Sequence, residues 1–196
     1  GASAEFGMDD INFSALNADI IHLGYFLLLE RVDGGDGIKI LEKAQKAGIK
    51  TSIDLVSENS NRYKTVIPCL KYTDYLIINE LEGGRLTNIE PSMENISLIA
   101  ERLLKSGVNE KVIIHFADGS VCMSKDGMLT SLGSYELPDN YIKGTTGAGD
   151  AFCAGALIGI YNKLSDREIL EYATACAAMA LGAQDATSGL TDIKTA

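Results

Sequence analysis

Asp74-Tyr75-Leu76-Ile77-Ile78-Asn79 decides the class of fold. Its apolar residues are consecutive, not alternating. A strand with one wet face alternates apolar and polar residues, whereas a strand covered on both faces reads as a continuous apolar run. Working outward, Ile49-Lys50-Thr51-Ser52-Ile53-Asp54-Leu55 precedes it and Lys111-Val112-Ile113-Ile114-His115-Phe116 follows, and both read as strands. Asp19-Ile20-Ile21-His22-Leu23, running to Gly24, is another. Between them apolar residues recur at helical spacing. Ile38, Leu41, Ala44 and Ala47 lead to a stop at Gly48, and Ile96, Ile99, Leu103 and Leu104 lead to one near Gly107. The stretch 63–71 also reads as helical, despite Pro68. Strand–helix alternation of this kind predicts an α/β fold, with a mostly parallel sheet between helices.

The pattern changes after Ser120. Val121-Cys122-Met123-Ser124, then Lys125-Asp126-Gly127, then Met128-Leu129-Thr130 predicts an antiparallel hairpin with Asp-Gly at its turn. Two late helices are expected over 149–162 and 166–182, packed closely through Ala154, Ala156, Ala173, Ala175, Ala177 and Ala178. There are no internal repeats or linkers, so one α/β domain over 1–196 is expected.

Composition narrows the function. The 196 residues are 46% hydrophobic and 22% charged, which is ordinary for a globular chain. Seventeen basic against 27 acidic residues give a net charge of −10, the wrong sign for a nucleic-acid backbone partner. No run approaches the ~20 apolar residues of a membrane span, so no membrane partner is expected. Gly1-Ala2-Ser3-Ala4-Glu5-Phe6 has no basic region before an apolar core and does not read as a secretory signal. Cys69, Cys122, Cys153 and Cys176 are widely spaced, which predicts reduced, mostly buried thiols and a cytoplasmic location. With two histidines and that spacing, a zinc site is not expected.

The segment with chemistry is Lys143-Gly144-Thr145-Thr146-Gly147-Ala148-Gly149-Asp150-Ala151-Phe152. Glycines let backbone N–H groups approach a ligand, and the helix that follows adds unpaired donors and the positive end of its dipole. The combination suits an anion, above all a phosphate. Gly144 to Gly149 has the glycine spacing of a P-loop, but Asp150 and Ala151 stand where a P-loop needs Lys and then Ser or Thr. A dinucleotide G-x-G-x-x-G does not fit in register. Asp150 beside an anion pocket makes sense if it takes a proton from a hydroxyl that attacks the phosphate, with the helix N-terminus helping to keep it ionised. A ligand-free tight loop and a first-turn helix Asp are the plain alternatives.

Gly144-Thr145-Thr146-Gly147-Ala148-Gly149-Asp150-Ala151-Phe152 resembles the C-terminal signature of the PfkB, or ribokinase-like, carbohydrate kinases, written D-T-T-G-A-G-D-x-F. Asn79-Glu80-Leu81-Glu82 resembles that family's N-x-x-E motif, and Gly182-Ala183-Gln184 its turn after the last large helix. Gly1-Ala2-Ser3-Ala4 resembles a mid-chain segment of these kinases. The resemblance implies a three-layer α/β/α fold with a mostly parallel sheet and a late hairpin, and an ATP-dependent sugar kinase using Mg²⁺. Asp150 would be the base. Thr145, Thr146, Gly147, Ala148 and Gly149 would form the phosphate-binding anion hole, and Asn79 and Glu82 would organise Mg²⁺ through water. His115, Ala117, Gly119 and Ala183 would face the nucleotide. A nucleoside kinase and a noncatalytic nucleotide-binding domain are the alternatives.

The departures from the pattern are specific. Gly144 replaces a carboxylate that in many family members helps hold an activating monovalent cation, so use of that cation does not follow from the resemblance. The nucleotide loop T-x-G-x-x-G appears as His115-Phe116-Ala117-Asp118-Gly119, one residue shorter. Asp54, Asn59 and Arg62 loosely match a D-x-N-x-R segment, where Arg62 reads as a surface charge or a phosphate contact. The match begins in the middle of the family pattern. It implies that the first strands and the lid, with most sugar contacts and the means of forming a homodimer, lie outside this sequence. By that expectation the chain is about two-thirds of an enzyme, holding the phosphate end of the active site and lacking the sugar end.

Overall fold

The computed structural model describes residues 1–191. They form two compact units. The first is Gly1–Ile114 with Met123–Met128, and the second is His115–Cys122 with the chain from Leu129 onward.

In the first unit a single helical turn, α1 (Ala2–Glu5), precedes β1 (Ile20–Phe26), α2 (Gly37–Lys46), β2 (Lys50–Leu55), β3 (Tyr75–Asn79), α3 (Glu80–Thr87), α4 (Ile96–Lys105) and the start of β4 (Lys111–Phe116). β1 and β2 run parallel with Leu23 opposite Ile53, and β2 and β3 run parallel with Ile53 opposite Leu76. Ile53, Leu76, Ile77, Ile78, Val112, Ile113 and Ile114 are all buried, as continuous apolar strands require. α2 covers them with Ile40, Leu41 and Ala44, and α4 with Ile96, Ile99, Ala100 and Leu103. α4 ends before Gly107, which has φ +124° and lies so close to the Lys71 backbone that a Cβ would come within 2.9 Å of its Cα.

The stretch 63–71 is not one α-helix. It forms two 3-10 helices, Arg62–Thr65 and Ile67–Tyr72. Pro68 is the reason. It disfavours the α conformation at the residue before it and cannot donate to the previous turn, but it is tolerated in the first turn of a new helix. The sequence reading also missed α3, which starts at the residue after β3 with no intervening loop.

The second unit contains most of β5 (Gly119–Ser124), then β6 (Leu129–Gly133), α5 (Ala148–Tyr161) and α6 (Asp166–Leu181). The six strands are ordered β1-β2-β3-β4-β5-β6 in one mixed sheet. The hairpin turn falls where Asp126-Gly127 places it, with φ +84° at Gly127. α6 opens with a capping box, Ser165 and Glu168 satisfying each other's backbone N–H groups. Glycines of α5 join the expected alanines in the close contact with α6, where Ala156 and Ala173 are fully buried. A Cβ on Gly155 would lie 2.7 Å from the Tyr172 carbonyl, and one on Gly159 would lie 3.0 Å from Ile169 Cα, whereas Ala154 is exposed. All four cysteines are buried thiols, and burial pushes that of Cys69 up to about 11. No helix among the described residues is long and apolar enough to cross a membrane.

Candidate active site

The glycine-rich segment of the second unit ends at Gly147, which caps α5 in a left-handed conformation, φ +83°. A Cβ there would lie 2.5 Å from Ala186 Cβ, so both the backbone angle and the available space demand glycine. Gly144 is packed less tightly: a Cβ would come 3.0 Å from the Ala183 carbonyl and 3.1 Å from that of Gln184. The segment 183–188 is therefore the wall against which the loop is shaped. Asp185 stiffens that wall. Its Oδ1 accepts the backbone N–H groups of Thr187 (2.9 Å) and Ser188 (2.7 Å), and its Oδ2 accepts the Ser188 hydroxyl (2.6 Å). The Ser188 side-chain and backbone bonds, with that from Thr187, hold its carboxyl down at about 2. The backbone N–H of Lys143 also donates to Leu181 (2.8 Å), tying the loop's entry to the end of α6.

Gly149 differs from its neighbours. A Cβ there would meet nothing nearer than the His115 ring, at 3.6 Å from Cε1. The first turn of α5 is thus open at the point where helical N–H groups have no intrahelical acceptor. Thr145, Thr146, Gly149 and Asp150 are exposed on this side, and Ala148 is half-buried. Asp150 is the acidic residue of that first turn. The geometry presents backbone donors and one carboxylate on a single exposed helix end, a donor set that fits an oxyanion beside a proton acceptor.

His115 lies at the end of β4 and packs its ring against Phe152, centroids 4.8 Å apart. The sequence-selected His115, Gly149 and Ala183 therefore all adjoin the loop. Ala117 and Gly119 are placed otherwise. The Ala117 carbonyl accepts the Ser134 hydroxyl (2.8 Å), and a Cβ on Gly119 would lie 2.4 Å from the Leu132 carbonyl. Close approach of β6 accounts for the glycine at 119.

In the first unit Asn79 and Glu82 meet at the start of α3. Asn79 Oδ1 accepts the Glu82 N–H (2.9 Å), and Glu82 Oε2 accepts the Asn79 N–H (3.1 Å), a reciprocal cap. Ser57, which sequence reasoning did not select, closes the network. Its hydroxyl donates to Glu82 Oε1 (2.8 Å) and accepts from Asn79 Nδ2 (2.8 Å). Glu82 is only 3% exposed, and burial pushes its carboxyl up to about 7 against these hydrogen bonds. Nearby, Asp54 at the end of β2 accepts the Tyr25 N–H (2.6 Å) and lies 3.4 Å from His22 Nε2. Arg62 is half-exposed and pairs with Glu58 and Asp33.

The sequence pattern of the pfkB family carbohydrate kinases matches residues 2–193. The chain belongs to this family. It is 26% identical over 175 residues to a ribokinase of Arabidopsis thaliana, covering 88% of this chain and 44% of that protein. It is 32% identical over 146 residues to a 1-phosphofructokinase of Haemophilus influenzae, covering 72% and 43% respectively. The structure of Arabidopsis thaliana ribokinase complexed with ribose and ATP superposes with a TM-score of 0.74 at 26% identity, over 91% of this chain and 54% of that one. The chain thus spans less than half the length of these two curated relatives. Its architecture is the three-layer α/β/α ribokinase-like fold, as the resemblance implied.

Two supporting residues of this family member left signals in the sequence that sequence reasoning did not use. Asp185-Ala186-Thr187-Ser188 is the composition of an Asx turn. Asn79 with Glu82 three residues later is a helix-capping pattern, which would have revealed α3. Ser57 had no such signal, because its partners lie 22 and 25 residues away.

Proposed function

We propose that this chain carries the phosphate-transfer apparatus of an ATP-dependent sugar kinase. The observation that supports this reading is Asp150, exposed in the first turn of α5 immediately after a loop whose glycines are dictated by backbone packing. A structural loop does not need a carboxylate at that position, whereas phosphoryl transfer to a hydroxyl does. Asp150 accepts the proton of the attacking sugar hydroxyl. The N–H groups of Gly147 and Gly149, with Thr145 and Thr146 alongside, hold the oxygens of the phosphoryl group, and that of Ala148, which donates to the Thr145 carbonyl (3.3 Å), joins them by giving up that bond. They sit on a preformed helix end, so little reorganisation is needed as charge develops. His115 and Ala183, which adjoin the loop, line the nucleotide side, whereas Ala117 and Gly119 are taken up by contacts with Ser134 and β6.

Mg²⁺ bound with ATP neutralises phosphate charge. Asn79 and Glu82 are its proposed organisers. Both Glu82 oxygens already accept hydrogen bonds from Ser57 and Asn79, which fits contact through the water shell that Mg²⁺ usually keeps. Gly144 stands where the family signature has a carboxylate, so that ligand to a monovalent cation is not supplied at this position. The cytoplasmic location and a homodimer of the full-length protein belong to the same proposal.

Calorimetry with ATP, followed by a phosphoryl-acceptor screen of sugars and nucleosides on the full-length protein, tests it. Transfer to a sugar supports the reading and transfer to a nucleoside alone redirects it. ATP binding with no transfer to any acceptor reduces the domain to a noncatalytic binder.

A further inference from the structure

Three surface cavities in the first unit carry lysine or arginine side chains. One, of about 580 Å³, contains Lys105 and Lys125, which pair with Glu101 and Glu110. Another, of about 370 Å³, contains Lys50, paired with Asp74 and Glu110. The third, of about 540 Å³, is different. It lies between the 3-10 helix Arg62–Thr65 and the C-terminal end of α3, and is lined by Lys64 and Arg85. Neither has a carboxylate partner among the described residues. Arg85 Nη2 makes one neutral contact, to Asn59 Oδ1 at 3.3 Å, and Glu90 on the cavity lining pairs with neither.

The lining also has polar residues, Ser60, Asn61, Asn88 and Glu90, and an apolar part that is held in shape. Ile67 and Leu81 are 41% and 55% exposed, large values for side chains of this type, and both line it. Its far wall, 89–91, is pinned to α3. Asn88 ends the helix in a left-handed conformation, Ile89 N–H donates to the Gly84 carbonyl (3.2 Å), and a Cβ on Gly84 would come 2.9 Å from the Ile89 carbonyl. A preformed cleft with an apolar wall and a few convergent polar groups is the usual form of a small-molecule site.

We propose that this cleft binds a small phosphate monoester with an apolar body. Lys64 and Arg85 against Glu90 leave the lining net positive, which suits an anion, and the planar fork of Arg85 suits the oxygens of a phosphate. Arg85 takes the phosphate oxygens through its planar fork and Lys64 contributes a point charge. Ile67 and Leu81 cover the apolar body. The bound ester would bridge α3, which holds Glu82, and the segment around Ser60 and Asn61, close to Ser57.

The test is residue-resolved NMR of the isotope-labelled chain titrated with phenyl phosphate, inorganic phosphate and phenol. Phenyl phosphate is expected to give saturable shifts at amides 60–64 and 84–90. Inorganic phosphate should bind more weakly there, and phenol should not saturate. The K64S/R85S double variant, outside the proposed catalytic machinery, should weaken phenyl phosphate by about tenfold or more. K64S alone leaves the Arg85–Asn59 contact in place and should weaken it as well. No saturation, shifts confined to 145–150, or affinity unchanged in both variants would overturn the proposal. Shifts confined to 145–150 would count against this site and in favour of the anion hole, and the other outcomes leave the kinase reading untouched, so the two stand or fall separately.

Discussion

Gly147 and Ala186 occupy adjoining space so fully that a methyl group on the first would sit 2.5 Å from the methyl of the second. The loop's shape therefore depends on a segment nearly forty positions later in the chain. Gly147→Ala combines a positive φ with overlap, and should destabilise the fold by about 2–4 kcal/mol. Ala186→Gly in the same chain should recover only the part that comes from the methyl contact, leaving the overlap with Ala186 Cα (2.7 Å) and the backbone strain. Urea denaturation of the two single variants and the double measures the coupling. Additive effects would mean that the two residues do not meet.

Glu82 makes stability depend on pH. Its carboxyl lies at about 7 in the fold against an ordinary 4.5, so the folded state holds the proton more tightly than the unfolded one. Its contribution is fully present below pH 4.5 and is lost as pH rises through 7. The swing is on the order of 3 kcal/mol. Glu82→Gln should flatten that part of the profile, measured as the difference in unfolding free energy between pH 5 and pH 8. An unchanged profile would place the proton elsewhere.

Replacing a mid-helix glycine by alanine normally stabilises, by up to about 1 kcal/mol. At Gly155 the sign should reverse. A Cβ there would come 2.7 Å from the Tyr172 carbonyl and 2.8 Å from Ala173 Cα, so α5 and α6 would have to separate. Gly155→Ala should lose about 1–3 kcal/mol, measured by thermal or urea unfolding. A gain would mean that the helices are not held this closely.

How legible all this was in the sequence depended on the range of the interaction. Continuous apolar strands such as Tyr75–Asn79 announce burial on both faces, and the hairpin announces itself through Asp126-Gly127, because those signals are local. The break in 63–71 was legible in Pro68 but underweighted there. For the packing of α5 on α6 the alanines were legible, and Ala156 and Ala173 are buried, but the part of Gly155 and Gly159 was not, because composition shows which residues are small and not which ones touch. In the site, the family signature marked Asp150 and its loop. The wall at 183–188 and Ser57 stayed hidden, since each acts across a separation that no local pattern encodes.

The central claim is that Asp150 takes the proton during phosphoryl transfer, and the most direct measurement is the Asp150→Asn variant of the full-length protein. With a saturating acceptor found by the screen, kcat should fall by about 10²–10⁴-fold, while ATP affinity by calorimetry stays within a few-fold of the parent. A kcat close to that of the parent would contradict the account.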